Sequence, residues 1–342
     1  MQIVRCDSSY DAAWNAFVEA SPNGSFYHLA EWRAVNTKAF GHETVHLAAL
    51  DEGRIVGVFP LVRLKSLAFG TIGCSMPFVN YGGPCADRPD VEEALLRAAD
   101  QLADEWRADY LEIRSRRELP SRYPWSDRKV SMTVALQPDA DAFFGTLKTP
   151  HRAEVRRAYK RGYEARTGRE HLDAFFLILS ESWRDLGTPI FQRSYLDLIC
   201  DAFGDAIQVM VVYAQDGRPA AGAFSAYHHG TVEGLWLGMR QEYRQQLVGY
   251  VLYWELIKCA CNAGAHTYHL GRSSKDSSAE QFKRKWNAEA QQLYWHYLLR
   301  TRDTLPGLNP DNPKYAAAIA MWRRLPLSVT QTLGPLIARS IP

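Results

Sequence analysis

Residues 268–286 read Tyr-His-Leu-Gly-Arg-Ser-Ser-Lys-Asp-Ser-Ser-Ala-Glu-Gln-Phe-Lys-Arg-Lys-Trp, which predicts a short apolar strand followed by a polar loop. The strand reaches Gly271, which permits a positive φ or the close approach of another backbone segment. Arg272 carries a planar fork of donors that suits phosphate or carboxylate. Such a strand end is a usual place for a site, although a sheet edge with a solvated loop fits equally well. The loop leads to two aromatic anchors and a lysine: Phe282, Lys283 and Trp286.

The order of elements around this stretch occurs twice in the chain. Each half predicts a strand, a tight turn, two further strands, a helix and a last strand. Short identities mark the copies: Gly53-Arg54 with Gly217-Arg218, Gly57-x-Phe59 with Gly222-x-Phe224, and Tyr110-x-x-x-Arg114-Ser115 with Tyr268-x-x-x-Arg272-Ser273. The repetition predicts an α/β protein with mixed sheets, built from two copies of one unit.

The join between the copies is predicted within residues 137–150, which contain Pro138 and Pro150. We therefore expect an N-terminal domain at 1–145 and a C-terminal domain at 146–304. The proline-rich tail, residues 305–342, is expected to pack back on the first domain, because its apolar stretch is short and carries little charge. A peripheral contact with a membrane surface is the alternative.

Composition limits the class of protein. The chain has 342 residues, 46% of them hydrophobic, which is enough for two cores. A net charge of +2 creates no overall field that would favour DNA. The six scattered cysteines and the lack of CxxC or HExxH motifs predict neither a disulfide framework nor a metal site. No apolar run of about 18 residues occurs and the N-terminus does not resemble a signal peptide, so a cytoplasmic location is expected.

The connection 238–249 lies between a predicted strand and a predicted helix, where free N–H groups attract anions. Acetyltransferases that use coenzyme A hold its pyrophosphate at such a place with Arg/Gln-x-x-Gly-x-Gly/Ala. This chain has Arg244-x-x-Leu247-x-Gly249, followed by Tyr250, so the middle glycine is replaced. The pattern makes Arg244, Gly249 and Tyr250 candidates for binding an acyl-CoA, and it equally fits a plain helix start.

Two further stretches are candidates for substrate binding. Residues 148–169 contain eight basic residues and two glutamates, and Arg152 and Arg156 lie in one helical row. They suit a phosphate-bearing substrate or an RNA acceptor stem, or else form a solvated face. In the first copy, Asn80 and Tyr81 lie in a strand broken by glycines, which indicates either a bulge or a substrate groove.

These residues together resemble the FemAB-like acyltransferases, a double-domain family of the GNAT type. The resemblance is carried by the Gly-Arg-Ser turn, the Phe-Lys pair and the following tryptophan, and it extends back to Phe26 and Trp32. Asn80-Tyr81-Gly82-Gly83 and Leu186-Gly187-Thr188-Pro189 resemble the branch associated with exosortase/PEP-CTERM exopolysaccharide loci. His269 replaces an aspartate of many relatives, and Asn287 replaces a glycine.

The resemblance implies two tandem GNAT-like domains that transfer an acyl or aminoacyl group to an amine or hydroxyl of a cell-envelope precursor. Well-known members take the amino acid from aminoacyl-tRNA and add it to peptidoglycan precursors. The sequence lacks the long charged heptad pair of their helical arm. The donor is therefore left open between aminoacyl-tRNA and acyl-CoA, and a phosphate- or carboxylate-bearing envelope precursor is the expected acceptor.

The predicted chemistry assigns the tetrahedral oxyanion, or a substrate phosphate, to Lys283. Arg272 would clamp a phosphate or carboxylate, and Glu233 and His269 are candidate bases. The first copy has the Arg-Ser end without the later Phe-Lys-x-x-Trp, so Arg272 also fits a structural role. Residues expected to bind substrate are Phe282, Trp286, Ser273, Asn80, Tyr81, Trp32, Arg152 and Arg156.

Two other functions fit the same residues. One is a GNAT N-acetyltransferase that uses acyl-CoA on a small or sugar substrate, which the 244–249 loop favours. The other is a non-catalytic binding protein of polysaccharide assembly, since the loop is degenerate and no base is evident.

Overall fold

The computed structural model describes residues 1–66, 69–120, 123–301, 303–306 and 315–341. The chain forms two compact units. The N-terminal unit comprises Met1–Lys129, Gln292–Leu308 and Ile337–Pro342, and the C-terminal unit comprises Val130–Gln291 and Asn309–Leu336. The first boundary therefore lies at 129/130 instead of the predicted 145/146.

The strands are β1 Gln2–Cys6, β2 Glu43–Asp51, β3 Arg54–Ser66, β4 Gly70–Cys74, β5 Cys85–Ala86, β6 Tyr110–Ser115, β7 Trp125–Ser126, β8 Lys129–Ala135, β9 Glu164–Thr167, β10 Ile207–Tyr213, β11 Pro219–His228, β12 Thr231–Met239, β13 Thr267–Ser274, β14 Glu289–Gln292 and β15 Tyr294–Leu299. The helices are α1 Asp11–Ala20, α2 Glu31–Phe40, α3 Pro89–Glu105, α4 Ala140–Thr146, α5 Thr149–Tyr159, α6 Leu172–Leu186, α7 Arg193–Phe203, α8 Gln241–Arg244, α9 Val248–Asn262, α10 Ser278–Arg284, α11 Ala316–Trp322 and α12 Leu327–Ala338.

The predicted repeat is present in the fold. β2–β3–β4–α3–β6 in the first unit corresponds to β10–β11–β12–α9–β13 in the second. Each copy begins with an antiparallel hairpin, whose turn glycine, Gly53 or Gly217, has a φ of +77°. Each copy ends with a parallel strand pair joined through its helix, β4–β6 and β12–β13. This βαβ connection needs a helix because parallel strands cannot be joined by a tight turn.

The sheet of the N-terminal unit has the order β1-β2-β3-β4-β6-β15-β7, and β5 pairs with β3. Its strand β15 comes from beyond the second copy in sequence and pairs antiparallel with β6. The guanidinium of Arg114 on β6 lies 4.5 Å from the ring centroid of Trp295 on β15, and Tyr297 of β15 is buried. The prediction that placed residues 146–304 in one domain did not anticipate that β15 joins the N-terminal sheet, because the sequence of a strand does not specify which strand it pairs with.

The sheet of the C-terminal unit has the order β14-β8-β13-β12-β11-β10-β9. Helix α6 packs on this sheet so closely that Cβ atoms on Gly222 and Gly238 would lie 3.0 Å from the Phe175 ring and 3.1 Å from Ile178. Helix α9 is apolar nearly all round and buried, as its sequence predicts. Its buried residues join the main core of this unit, which includes Val251, Leu252 and Trp286.

The predicted packing of the tail on the first domain is wrong for most of its described residues. Residues 315–336 belong to the C-terminal unit, where a Cβ on Gly334 would lie 2.7 Å from the carbonyl oxygen of Ile190. Residues 305–306 at the start of the tail and 337–341 at its end belong to the N-terminal unit, where Arg339 donates to the carbonyl of Phe40. None of the helices in the described ranges has the length and apolarity that a membrane span requires.

Candidate active site

The parallel strands β12 and β13 part after a short pairing. They pair at Thr231–Thr267, Val232–Tyr268 and Glu233–His269, and then β12 continues to Met239 while β13 continues to Ser274. The register of β12 against β11 shifts at the same level: Ser225 faces Gly234 and Phe224 faces Trp236, which leaves Leu235 in a bulge. A bulge beside diverging strands re-aims backbone and side chains and is common next to active sites.

Two glycines lie where the strands separate. Gly271 has a φ of +76°, and a Cβ on it would lie 3.0 Å from the carbonyl oxygen of Gly234. A Cβ on Gly234 would in turn lie 2.9 Å from the carbonyl oxygen of His269. Gly271 thus has both features expected of it, a left-handed conformation and a close backbone approach.

Lys283 is held beside this separation by α10. Only 6% of the residue is exposed, and Nζ donates to the carbonyl oxygens of Gly271 at 3.1 Å and Arg272 at 3.0 Å. Burial lowers the pKa of Lys283 to about 7, and the positive charge of Arg272 adds to the shift. Near neutral pH the group is therefore present both as an ammonium, with one N–H beyond the two carbonyls, and as an amine with a lone pair.

Glu233 and His269 form one buried pair. They are the last matched residues of β12 and β13, and Nδ1 of His269 lies 2.8 Å from Oε1 of Glu233. Their side chains are almost completely inaccessible to solvent. The sequence predicts them as separate candidate bases, and the structure brings them together at the start of the strand separation. The carboxylate can hold the imidazole in one tautomer and orientation.

A cluster of rings lies beside Lys283. The ring centroids of Tyr250 and Phe282 are 5.2 Å apart, and Tyr253 stacks on Trp286 at 5.9 Å. Phe282 and Trp286, predicted to bind substrate, therefore lie together with Tyr250, which was predicted to bind a cofactor. Trp286 is fully buried, so it forms the base of the cluster.

Sequence reasoning missed His151, which joins this cluster from α5. Its ring centroid lies 4.3 Å from that of Trp286 and 5.1 Å from that of Tyr250. Among the described residues, neither Nε2 of His151 nor Nε1 of Trp286 has a hydrogen-bond partner, although both atoms are buried. Burial, with the charge of Lys285, lowers the pKa of His151 to about 4, so the ring is neutral at pH 7. The only sequence signal was a histidine one turn before Val155 on the apolar side of a basic helix.

The candidate cofactor loop keeps a turn geometry that favours glycine. Leu247, which replaces the middle glycine of the motif, has a φ of +67° and directly precedes α9. A Cβ on Gly249 would lie 3.1 Å from the sulfur of Met239 and 3.6 Å from the ring of Phe282. Arg244 is exposed on α8, and its guanidinium lies 3.4 Å from Oγ of Ser182. The N-terminus of α9 thus opens beside Phe282.

Arg272 and its counterpart Arg114 have different surroundings. Arg114 is 1% exposed, and its Nε lies 2.7 Å from Oε1 of Glu112. Arg272 is half-buried, and its carbonyl accepts from Lys283. Ser273 is buried, and its Oγ has no hydrogen-bond partner within the described part of the chain. The shared Arg-Ser end is thus a packed structural feature in the first copy and partly accessible in the second.

The basic stretch 148–169 is not one helix. Helix α5 ends at Tyr159, and Arg166 lies on β9 with an ion pair to Glu164. On α5, Arg152 is half-buried with Nη2 3.2 Å from Oγ1 of Thr149, and Arg156 is exposed with its guanidinium over the ring of Phe144.

The candidates of the first copy lie together in a buried network of the N-terminal unit. Asn80 donates to the hydroxyl of Tyr27 at 2.8 Å, and Tyr81 meets the Tyr27 ring edge-on at 4.9 Å. Trp32 donates from Nε1 to the carbonyl of Phe26 at 2.9 Å. Residues 75–84, predicted as a glycine-broken strand, form a loop between β4 and β5. The binding roles of these three residues remain predictions.

Comparison with known proteins defines the class. Residues 149–284 match the family model described as acetyltransferase (GNAT) domain. This match covers α5 to α10, which contain the separated strands, the buried lysine and the aromatic cluster except for Trp286. Residues 149–284 are therefore an acetyltransferase domain of the GNAT type, and the repeated order of elements gives the chain a tandem GNAT fold, as the repeat and the resemblance predicted. No curated protein sequence matches it.

Particular solved structures share the double fold. FemX, a FemAB-type protein, has a TM-score of 0.66 at 17% identity, over 93% of this chain and 100% of its own. A tandem GNAT protein from the clavulanic acid biosynthesis pathway has a TM-score of 0.55 at 13% identity, over 86% and 97%. L-PGS from Bacillus licheniformis has a TM-score of 0.52 at 14% identity, over 93% and 97%. At these identities the likeness concerns the fold, and it confirms the FemAB-type architecture expected from the sequence.

Proposed function

We propose that this protein transfers an acyl or aminoacyl group to an amine or hydroxyl of a cell-envelope precursor, at the separation of β12 and β13. The observation that carries the proposal is Lys283, a buried lysine with a pKa near 7 that is held by two main-chain carbonyls beside the parting strands. Such a shifted group in a GNAT domain is a candidate for chemistry. The likeness in fold to FemX and L-PGS supports aminoacyl transfer, and the precursor class rests on the family resemblance.

The proposed reaction needs few protein groups. The acceptor nitrogen or oxygen attacks the acyl carbonyl carbon, and the bond to the donor's sulfur or ribose oxygen breaks. The acceptor's proton passes to the leaving group. The carbonyl oxygen carries negative charge in the intermediate, and the third N–H of the Lys283 ammonium is proposed to donate to it. Arg272, partly accessible at the end of β13, is proposed to bind a phosphate or carboxylate of the substrate.

The test is a transfer assay on the purified full-length chain with acetyl-CoA or aminoacyl-tRNA and candidate glycan or peptidoglycan precursors, read by mass spectrometry. Lys283→Ala is expected to lower kcat by about 100-fold or more, as removal of an oxyanion donor does. Lys258→Ala is the matched control, because Lys258 is a surface lysine on α9 paired with Glu255. An unchanged kcat in a folded Lys283→Ala protein would remove this role. Absence of any product with every donor would favour the binding-protein alternative.

A second candidate, an acyl-CoA-dependent N-acetyltransferase acting on a small or sugar substrate, is favoured by the geometry of the cofactor loop. Leu247 holds the left-handed conformation that costs a non-glycine residue roughly 1–2 kcal/mol. A Leu247→Gly variant is expected to bind acetyl-CoA more tightly in calorimetry, because the backbone geometry is kept and a side chain is removed from the helix start. No heat with any acyl-CoA, in either the variant or the parent chain, would leave aminoacyl-tRNA as the donor.

A further inference from the structure

Helix α12 has an inverted pattern of burial. A surface helix normally turns its large apolar residues toward the core and its small or polar residues toward water. On α12 the buried row contains Thr330, Gly334 and Ala338, which are small. Its exposed row contains Leu333 and Leu336, with 42% and 65% of their surfaces accessible. The helix thus uses its small residues for packing, and a Cβ on Gly334 would touch the backbone of Ile190.

Further exposed apolar side chains of the C-terminal unit lie on α11, which a four-residue link joins to α12, and at the end of α6. Met321 of α11 is 63% exposed, and Leu186 at the end of α6 is 51% exposed. These two neighbourhoods are in contact, because Arg323 donates to the carbonyl of Leu186 at 3.2 Å and a Cβ on Gly187 would lie 2.4 Å from Ile319. Large apolar side chains grouped on one surface commonly indicate an interaction site.

The charge of this segment indicates the kind of partner. Residues 315–341 contain three arginines and neither aspartate nor glutamate. Arg323 and Arg324 are exposed between α11 and α12. Exposed apolar residues flanked by arginines, in a helical segment that carries no carboxylate side chain, match a surface that has both an apolar interior and negative charge. An anionic bilayer offers this combination, with the acyl region for leucine and methionine and the phosphates for arginine.

We propose that α11 and α12 form a surface that binds anionic phospholipid membranes. Met321, Leu333 and Leu336 enter the headgroup boundary, and Arg323 and Arg324 pair with lipid phosphates. This proposal does not depend on the acyl-transfer chemistry, because none of these residues contributes to the site on β12 and β13. It gives the protein access to lipid-borne molecules without a spanning helix.

The test is co-sedimentation of the full-length chain with vesicles of phosphatidylcholine alone or mixed with phosphatidylglycerol. Binding to the mixed vesicles is expected to be stronger by about tenfold or more and to weaken with salt. Leu333→Glu with Leu336→Glu is expected to lower the partition constant by about tenfold or more. Arg323→Gln with Arg324→Gln is expected to lower it by about 30-fold on mixed vesicles only, since each surface arginine contributes about 1 kcal/mol.

Lys65→Glu is the matched control, because it changes the net charge as much as the two leucine substitutions do and lies exposed on β3. It is expected to bind vesicles like the parent chain. All substituted residues are exposed, so the variants are expected to keep the parent's melting temperature. Equal binding by the double leucine variant, or no binding by the parent chain, would overturn the proposal. A dimer in solution that the leucine substitutions dissociate, without vesicle binding, would assign the surface to self-association instead.

Discussion

Nζ of Lys283 lies 3.0 Å from the carbonyl oxygen of Arg272. The lysine is therefore held by the backbone of a residue whose side chain is also positively charged and repels the ammonium. The carbonyls of β13 position the amine, while burial and the Arg272 guanidinium destabilise its protonated form and so lower its pKa. This arrangement separates position from charge. It allows a lysine to stay at one place while its protonation changes near neutral pH.

The pH dependence of turnover tests whether Lys283 acts as the proposed oxyanion donor or instead as a base. If the ammonium donates to the oxyanion, kcat is expected to be full below the pKa of about 7 and to fall as pH rises through it. If the amine accepts the acceptor's proton, kcat rises over the same range. Steady-state kinetics across this pH range measures whether kcat falls or rises. If Lys283→Arg leaves the pH profile of kcat unchanged, the change of kcat near pH 7 belongs to another titrating group.

Stability is expected to depend on pH through the same residue. The folded pKa of Lys283 is about 7 and its ordinary value is 10.5, so the unfolded chain binds more protons between these values. The free energy of unfolding should therefore rise with pH across this window, by up to about 1.4 kcal/mol per pH unit, and should be flat with respect to this group below it. Lys283→Met should lack this slope in chemical denaturation. Parallel curves for the two proteins would contradict the burial of a titrating lysine.

Gly271→Ala tests the close approach of the parting strands. The substitution combines a left-handed conformation with a Cβ 3.0 Å from the carbonyl of Gly234, and it is expected to cost roughly 1–3 kcal/mol and to impair transfer. Gly264→Ala is the matched control, since Gly264 has a φ of +73° with nothing within 4 Å of its Cβ position. Thermal denaturation should show a smaller loss for Gly264→Ala. Equal losses would mean that the conformation alone matters.

The two copies of the Arg-Ser end are expected to respond differently to the same substitution. Arg114→Met leaves Glu112 buried without its charged partner and should destabilise the protein by about 3–5 kcal/mol. Arg272→Met should change stability by much less and should raise KM for a phosphate- or carboxylate-bearing substrate. Denaturation and steady-state kinetics on both variants measure the contrast. A large loss of stability with Arg272→Met would make that arginine structural too.

Much of the fold could be predicted from local patterns. The turn glycines Gly53 and Gly217, the alternation of the strands and the apolar helix α9 predicted two copies of one α/β unit, and the structure contains both. The pairing of β15 with the N-terminal sheet could not be predicted, because the alternation of its apolar and polar residues fits any open sheet edge. The tail was misplaced for a related reason: α12 packs through Gly334 and other small residues, which give no hydrophobic signal.

The sequence by itself determined the repeated unit, the strand that ends at Gly271 and the Phe-Lys-x-x-Trp extension found only in the second copy, because these depend on residue types at fixed spacing. Only the tertiary structure decided that Glu233 pairs with His269, that His151 joins Trp286 and that Lys283 is buried against two carbonyls. Those relationships link residues up to 135 positions apart in the chain. The pKa of a lysine is likewise set by the solvent and charges around it, which only the folded chain assembles.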